Sequence, residues 1–537
     1  MYTVFSAFAG IAAAANKRPM LCVPRNERRD YLPDGAEFSY GDVEVRSLEL
    51  VKLYAAAGYG HGHRVLLLLE NRPEYFFHFL ALNAIGASIV PVNPDYRMDE
   101  MVYQAEKASV DLIVGLTHRA AELQAVAGRV SKSCAAISID HSGAFPSPAT
   151  PPPHHGIPNA ETEAAVLFTS GSTGLPKGCV VSNRYMLLCA EWYASTGGLT
   201  NFRYGQSRHF NPLPLYHMGG LCMASMSMMV TAGCVILAER FQPKRFLADA
   251  ISARATSMHY LGVVPAMLLA QEPSELDRRH SIAFAIGAGA NAALIERFEL
   301  RFGIPCVEGW AMTETGRAIW NSEEPRQRGR NAVGRPANGL QVRIEDASGD
   351  PAAVGALGEL TVRWGGSEGP RWGFFDGYHG DAEATEEAWR GGWFHSGDMV
   401  TQDPDGTIIF VDRKKNVIRR SGENIAAAEV EQILLTHPEI EQVAAIAVTD
   451  DMRQEEVCAC IKLRPGVPKD RDMAEALFHW ANARMAYFKT PGWIIFKDEL
   501  PTTGSQKIAK AQMLAPGVDL LSLPDAFDFR TLKRRVT

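Results

Sequence analysis

Thr169-Ser170-Gly171-Ser172-Thr173-Gly174-Leu175-Pro176-Lys177-Gly178 follows directly on the apolar run Ala164-Ala165-Val166-Leu167-Phe168, which reads as a strand. Three glycines, Gly171, Gly174 and Gly178, let the backbone turn tightly. Hydroxyls and amide N–H groups then converge on a small volume. That surface suits phosphate oxygens, and Lys177 can add a compact positive charge beside them. Ser/Gly/Thr clusters also make ordinary polar hairpins, so the run alone leaves both readings open. It is not a Walker A loop, because the Gly-x-x-x-x-Gly-Lys-Ser/Thr order is absent.

Upstream of this loop the chain alternates. Arg64–Leu69 reads as a buried strand, and Pro73-Glu74-Tyr75 opens a helix towards Ile85. Ser88-Ile89-Val90 is a second strand, Met98 to Ala108 a polar helix and Val110–Val114 a third strand. Such alternation predicts parallel sheet layers covered by helices. A proline-rich connector over residues 141–159, carrying His154 and His155, precedes the loop. Downstream, Ser257–Leu261 and Ser281–Ile286 are short strand candidates. Gly287-Ala288-Gly289-Ala290 then forms a low-bulk bend before a helix around Ala293–Leu300. Small residues there serve either close approach of a planar ligand or close helix–sheet packing. After about residue 340 short strands dominate, and a tail from Ala427 alternates helix, strand, strand and helix.

The chain has 537 residues, more than one hydrophobic core usually holds, so at least two domains are expected. Its formal net charge of −7 offers no nucleic-acid footprint. The nine cysteines are scattered, Cys458 and Cys460 read as packing residues on one strand face, and a reducing, cytoplasmic setting is expected. The apolar stretch Phe5–Ala15 reads as a packed first helix. Met223–Leu237 is too short for a membrane span, and no integral membrane association is expected.

Further blocks follow in order: Pro214-Leu215-Tyr216-His217, then Gly309-Trp310-Ala311-Met312-Thr313-Glu314-Thr315-Gly316, then Gly397-Asp398. Asp412-Arg413-Lys414-Lys415-Asn416 leads to Gly422, and Pro501-Thr502-Thr503-Gly504-Ser505-Gln506-Lys507 closes the series. Together with the loop at residue 169 this order resembles the adenylate-forming family of acyl-CoA synthetases, peptide-synthetase adenylation domains and luciferases. The likeness covers nearly the whole chain.

The resemblance implies an α/β multidomain fold, with a large AMP-binding N-terminal domain over residues 1–414. A small mobile α+β C-terminal domain over 415–537 would turn about a hinge near Lys415. It implies that Thr169, Ser170, Gly171, Ser172, Thr173 and Gly174 cradle the ATP phosphates, with Lys177 supporting the loop. Thr313 would bind near the α-phosphate and Glu314 would coordinate Mg²⁺. Trp310 would stack on adenine beside the Gly289 bend. Asp398 would bind the ribose hydroxyls, Arg413 would assist at ribose and phosphate, and Gly422 would lie on the pantetheine path of coenzyme A. Lys507 would reach the forming acyl-adenylate, although Gln506 stands where relatives usually have Gly.

His217 matches the residue beside the acyl pocket, with Met218, Gly219, Ala288, Gly309 and Ala311 as wall positions. The small Gly309 and Ala311 disfavour acetate, and the segment Glu423-Asn424-Ile425 is similar to carnitine-, crotonobetaine- and aryl-CoA ligases. The expected substrate is a medium aliphatic, aryl or substituted acid. Arg317 reads as solvated, with a second substrate carboxylate as its other option. The expected partners are the acid, ATP and CoA, with a homodimer left open; transfer to a carrier-protein thiol is the alternative.

Overall fold

The strand expected ahead of the glycine-rich loop is Glu163–Thr169, paired antiparallel with Lys177–Ser182 so that Thr169 lies opposite Lys177. The computed structural model describes residues 2–533 except 97, 170–175, 291, 338, 414–415, 421–422, 451–452, 486, 503–507 and 516–517, with backbone alone at 263, 419, 423, 424 and 454. The chain divides into two units, one of residues 1–342 and 362–395, the other of 343–361 and 396–537. The expected boundary between 414 and 415 falls outside the described residues.

The first unit holds two mixed sheets. Among the described residues, one has seven strands in the order Gly377–Tyr378, Lys177–Ser182, Glu163–Thr169, Ser88–Pro91, Arg64–Leu68, Leu112–Gly115 and Ala135–Ser138. From Glu163–Thr169 onwards its neighbours are parallel. The connecting helices Pro73–Ala84 and Met98–Lys107 start where Pro73 sits at a helix N-terminus and where Asp99 and Glu100 complement the helix dipole. Leu66, Val90, Ile113 and Val166 pack in one apolar layer of this sheet.

The second sheet runs Ala318–Trp320, Cys306–Ala311, Phe284–Ala288, Ser257–Leu261, Arg208–Asn211, Cys234–Leu237, Pro19–Val23 and Ala36–Ser39. Its six inner strands are parallel, and Phe210, Ile236, Met258 and Phe298 are packed in one core against it. Ligand sites of parallel sheets gather at the carboxyl ends of strands, and Gly289 and Ala311 lie at two such ends here.

The first helix, Val4–Ala15, buries Val4, Phe8, Ala12 and Ala15. Its N-terminal amides at Val4 and Phe5 donate to the Asn183 and Asn83 side chains, satisfying groups a helix start leaves open. The apolar run after residue 218 is a π-helical turn, Gly219–Ser225, continued by the short helix Met226–Val230 and the strand Cys234–Leu237. No helix among the described residues is long and apolar enough to cross a membrane.

In the second unit, Phe394–Gln402 pairs antiparallel with Ile408–Arg413. A further sheet contains Val417–Arg420, Ile440–Asp450, Gln454–Leu463, Trp493–Phe496 and Ala526–Asp528, and the helices Ala427–Leu434 and Arg471–Asn482 pack on it through Val430, Leu434, Leu477 and Phe478. Cys458 and Cys460 are buried in this unit beside Trp493 and Ile495, as packing residues. Glu456 is buried between Arg420 at 2.8 Å and Lys533 at 2.5 Å, which fixes the strand end leading to residues 421 and 422.

Candidate functional site

Thr169 and Lys177 lie opposite each other at the end of the antiparallel strand pair, and residues 170–175 between them lie outside the described residues. Lys177 holds the loop exit: its Nζ lies 3.5 Å from Asp381 and 5.0 Å from the centre of the Tyr378 ring. Tyr103 OH donates to the Pro176 carbonyl at 3.0 Å on the same side of the loop.

Tyr378 joins this loop to the Thr-Glu block. Its hydroxyl donates to Glu314 Oε1 at 3.0 Å. Burial and the Glu314 charge push that phenol well above its usual range, so it remains a protonated donor. Glu314 is 7% exposed, and its carbonyl accepts from the Phe375 amide. The carbonyl of Thr313 accepts from Tyr185 OH at 2.6 Å, and Thr315 Oγ1 bonds the carbonyls of Met312 and Arg317. The loop that carries Thr313 and Glu314 is therefore clamped from one helix, one strand and the segment just before that strand. The structure brings Lys177 and Glu314 together through Tyr378, a residue whose isolated Gly-Tyr-His sequence context gave no signal.

Trp310 is 5% exposed on the strand Cys306–Ala311. The preceding Glu308, also missed in the sequence, accepts from Tyr260 OH at 2.6 Å and from the amides of Gly289 and Ala290 at 3.1 and 3.3 Å. Burial pushes its carboxyl up to about 7 although these three donors favour the charged form. The bend is close-packed at one glycine and open at another, and the packing at Gly287 is against the neighbouring strand rather than a helix. A side chain on Gly287 would collide with Tyr260, whereas Gly289 has φ of +80° and nothing within 4 Å of a built Cβ.

Two wall expectations change. The space beside Gly309 is not open: a Cβ there would run into the Trp320 ring across the antiparallel strand pair. Arg317 is not solvated but 2% exposed, ringed by Trp364 at 4.4 Å, Trp372 at 5.4 Å, and Trp192 and Phe374 at 5.5 Å. Its Nη1 donates to the Trp372 carbonyl at 2.8 Å, and burial lowers it to about 10. The four aromatic residues lie far from it in sequence, which hid the cage.

His217 sits on the turn entering the π-helical segment, its ring 4.5 Å from that of Tyr216. Asn71 fixes this turn: its Nδ2 donates to the carbonyls of Leu213 and Ala238, and its Oδ1 accepts from the Leu215 amide at 2.9 Å. Tyr75 OH donates to the Leu215 carbonyl.

Within the second unit, Asp398 is opposite Arg413 in the strand register, with Arg413 Nε 2.7 Å from its carboxylate. Ser396 Oγ and the Glu359 carboxylate hold the amides of Asp398 and Gly397. Lys415, Gly422 and Lys507 lie outside the described residues.

Comparison with known proteins identifies the family and the fold. Residues 13–378 match the model of the AMP-binding enzyme family and 429–507 that of the AMP-binding enzyme C-terminal domain. The chain is 28% identical over 497 residues to crotonobetaine/carnitine–CoA ligase of Proteus mirabilis, covering 89% of this chain and 93% of that protein. Its fold is similar to o-succinylbenzoate CoA synthetase from Bacillus subtilis, at TM-score 0.79 and 23% identity over 94% of this chain and 97% of that one. It is also similar to an anthranilate CoA ligase in complex with anthranoyl-AMP, at TM-score 0.81 and 20% identity over 95% and 96% of the two chains. The chain therefore belongs to the AMP-binding enzyme family.

Proposed function

We propose that this enzyme activates a carboxylic acid with ATP and passes the acyl group to the thiol of coenzyme A, releasing pyrophosphate and then AMP. The observation that carries the reading is the Lys177–Tyr378–Glu314 arrangement, a cation and a carboxylate held beside the glycine-rich loop. The relatives named as CoA ligases support it.

The substrate carboxylate is a poor electrophile until its oxygen becomes part of a better leaving group. Its attack on the α-phosphorus forms the acyl-adenylate and expels pyrophosphate; thiol attack on that carbonyl forms the thioester and expels AMP. Residues 169–174 bind the phosphates through N–H and hydroxyl groups, with Lys177 fixing the loop exit, and Thr313 contacts the α-phosphate. Glu314, oriented by the Tyr378 hydroxyl, suits a hard divalent cation, and it would hold the Mg²⁺ that neutralises phosphate charge. Asp398 takes the ribose hydroxyls with Arg413 beside it, and Lys507 meets the charge that develops between carboxylate and α-phosphate.

His217, Met218, Gly219, Ala288 and Ala311 border the acyl pocket, which takes a medium aliphatic, aryl or substituted acid. Incubation with ATP, Mg²⁺, CoA and a panel of acids should yield acyl-CoA and AMP in equal amounts. AMP formation that needs a carrier protein in place of CoA would favour the alternative acceptor; no acid-dependent AMP by folded protein would remove the proposal.

A further inference from the structure

Arg317 closes the block that carries Thr313 and Glu314, and it is held by rings rather than by an acid. Its guanidinium is enclosed by Trp192, Trp364, Trp372 and Phe374, 4.4 to 5.5 Å from their centres, and the residue is 2% exposed. Nη1 donates to the Trp372 carbonyl at 2.8 Å, while Nε has no hydrogen-bond partner among the described residues. Trp192 is itself fixed to the block, its Nε1 donating to the Ala318 carbonyl at 2.9 Å. Aromatic faces and one carbonyl compensate a desolvated cation only in part, so packing alone would not select an arginine here.

Two stretches of chain meet at this cage. Residues 314–317 and 372–375 run side by side in opposite directions: Arg317 bonds Trp372, Gly316 lies against Gly373, and the Glu314 carbonyl accepts from the Phe375 amide at 3.0 Å. The fit at the glycines is close. A Cβ on Gly316 would stand 3.0 Å from the Gly373 carbonyl oxygen, and one on Gly373 would stand 2.5 Å from Arg317 Nη2. Beyond Phe375 the second stretch reaches Tyr378, whose hydroxyl donates to Glu314 Oε1.

The two stretches belong to different sheets of the first unit. One leads into Ala318–Trp320 of the eight-stranded sheet. The other leads into Gly377–Tyr378, which pairs with Lys177–Ser182 at the edge of the seven-stranded sheet. The Arg317–Trp372 contact is therefore one end of a seam between the sheets, and the Tyr378–Glu314 bond is the other. A slip of one residue along the seam moves the backbone by about 3.3 Å, enough to part the Tyr378 hydroxyl from the carboxylate.

We infer that Arg317 is a positioning residue for the Glu314 carboxylate: its caged guanidinium holds residues 372–375 in register against residues 314–317, and so sets the bond from Tyr378 to Glu314. The side chain suits that task. A planar guanidinium lies among flat rings while it donates in its own plane to the Trp372 carbonyl, and an ammonium reproduces only the charge and the donor. The inference rests on the acid-activating function proposed above, in which Glu314 serves adenylation.

The first test needs no ligand. Thermal midpoints of the full chain, free of ATP and Mg²⁺, are compared for the parent, Tyr378→Phe, Arg317→Met and the double variant. The shift caused by Tyr378→Phe should shrink towards zero in the Arg317→Met background, because the bond it removes is no longer made there. Two shifts that add in full overturn the inference. The second test separates the half-reactions with an accepted acid. Arg317→Met should lower kcat/KM for adenylation by roughly tenfold or more and raise the Mg²⁺ requirement, with thioester formation from supplied acyl-adenylate unchanged. Equal loss in both half-reactions, as a general weakening of the fold would give, overturns the inference, and so does adenylation at the parent rate. Arg317→Lys keeps the charge and a donor and should lose less. It carries both comparisons if the Arg317→Met protein does not fold. No acid-dependent AMP from the folded parent overturns acid activation itself, whereas an active parent matched by its Arg317 variants overturns the positioning role alone.

Discussion

Tyr378 occupies a position that only the folded chain reveals, touching Lys177 with its ring and Glu314 with its hydroxyl. Tyr378→Phe keeps the ring beneath the lysine and removes the hydroxyl that donates to the Glu314 carboxylate. A hydrogen bond to a charged group contributes about 2 kcal/mol, so adenylation should slow roughly thirtyfold, with a raised Mg²⁺ requirement. Thioester formation from supplied acyl-adenylate should be unchanged. Adenylation at the original rate would reduce Tyr378 to packing. Lys507 makes the complementary case: Lys507→Ala loses a charge contact made in the transition state, and a cost of about 3 kcal/mol is roughly two orders of magnitude in adenylation rate. Single-turnover assays of each half-reaction separate this from a general defect, because equal loss in both would contradict the assignment.

At the scale of the element, the strand ending at Ala288 and the strand carrying Glu308 are tied by one carboxylate that accepts from Tyr260, Gly289 and Ala290. Its folded value of about 7 lies above the 4.5 of an open chain. Between those values the folded state keeps a proton that the unfolded state has lost. The stabilisation is therefore full below about pH 4.5 and is lost as pH rises through 7. Glu308→Gln should flatten the fall in melting temperature over that window; an equal slope in both proteins would show that Glu308 does not titrate there. Regular elements were legible wherever burial follows a period. Arg64–Leu68 and Ser257–Leu261 read directly from apolar runs, and Pro73 marked its helix start. Ser281–Ile286 instead begins at Phe284 and extends to Ala288, because Gly287 packs on Tyr260 as part of the strand. The π-helical turn at Gly219–Ser225 had no sequence period to announce it. Arg317 was misread for a related reason: nothing local distinguishes a solvated arginine from one enclosed by Trp192, Trp364, Trp372 and Phe374. The blocks proposed to bind phosphate, ribose and metal stand in the sequence as ordered motifs, whereas Tyr378, Glu308 and Asn71, which orient their neighbours, become visible only through tertiary contacts.

At the scale of the molecule, one lysine at position 507 is proposed to serve adenylation and then to clear the path of the thiol. That sequence of events requires the small domain to change its arrangement, and Lys415 is the proposed pivot. Lys415→Pro restricts the backbone torsion such a change needs. Pyrophosphate release should stay near normal while transfer to CoA falls, the inverse of the Lys507→Ala defect; unimpaired transfer would remove the hinge assignment. The chemistry beneath all of this is the bond from a carboxylate oxygen to the α-phosphorus of ATP. It is tested by supplying a free carboxylic acid that the enzyme accepts, labelled with ¹⁸O in both carboxyl oxygens, with ATP, Mg²⁺ and CoA, and weighing the nucleotide product. One ¹⁸O per turnover should appear in the phosphate of AMP and none in pyrophosphate; unlabelled AMP, or label in inorganic phosphate alongside ADP, would contradict acyl-adenylate formation.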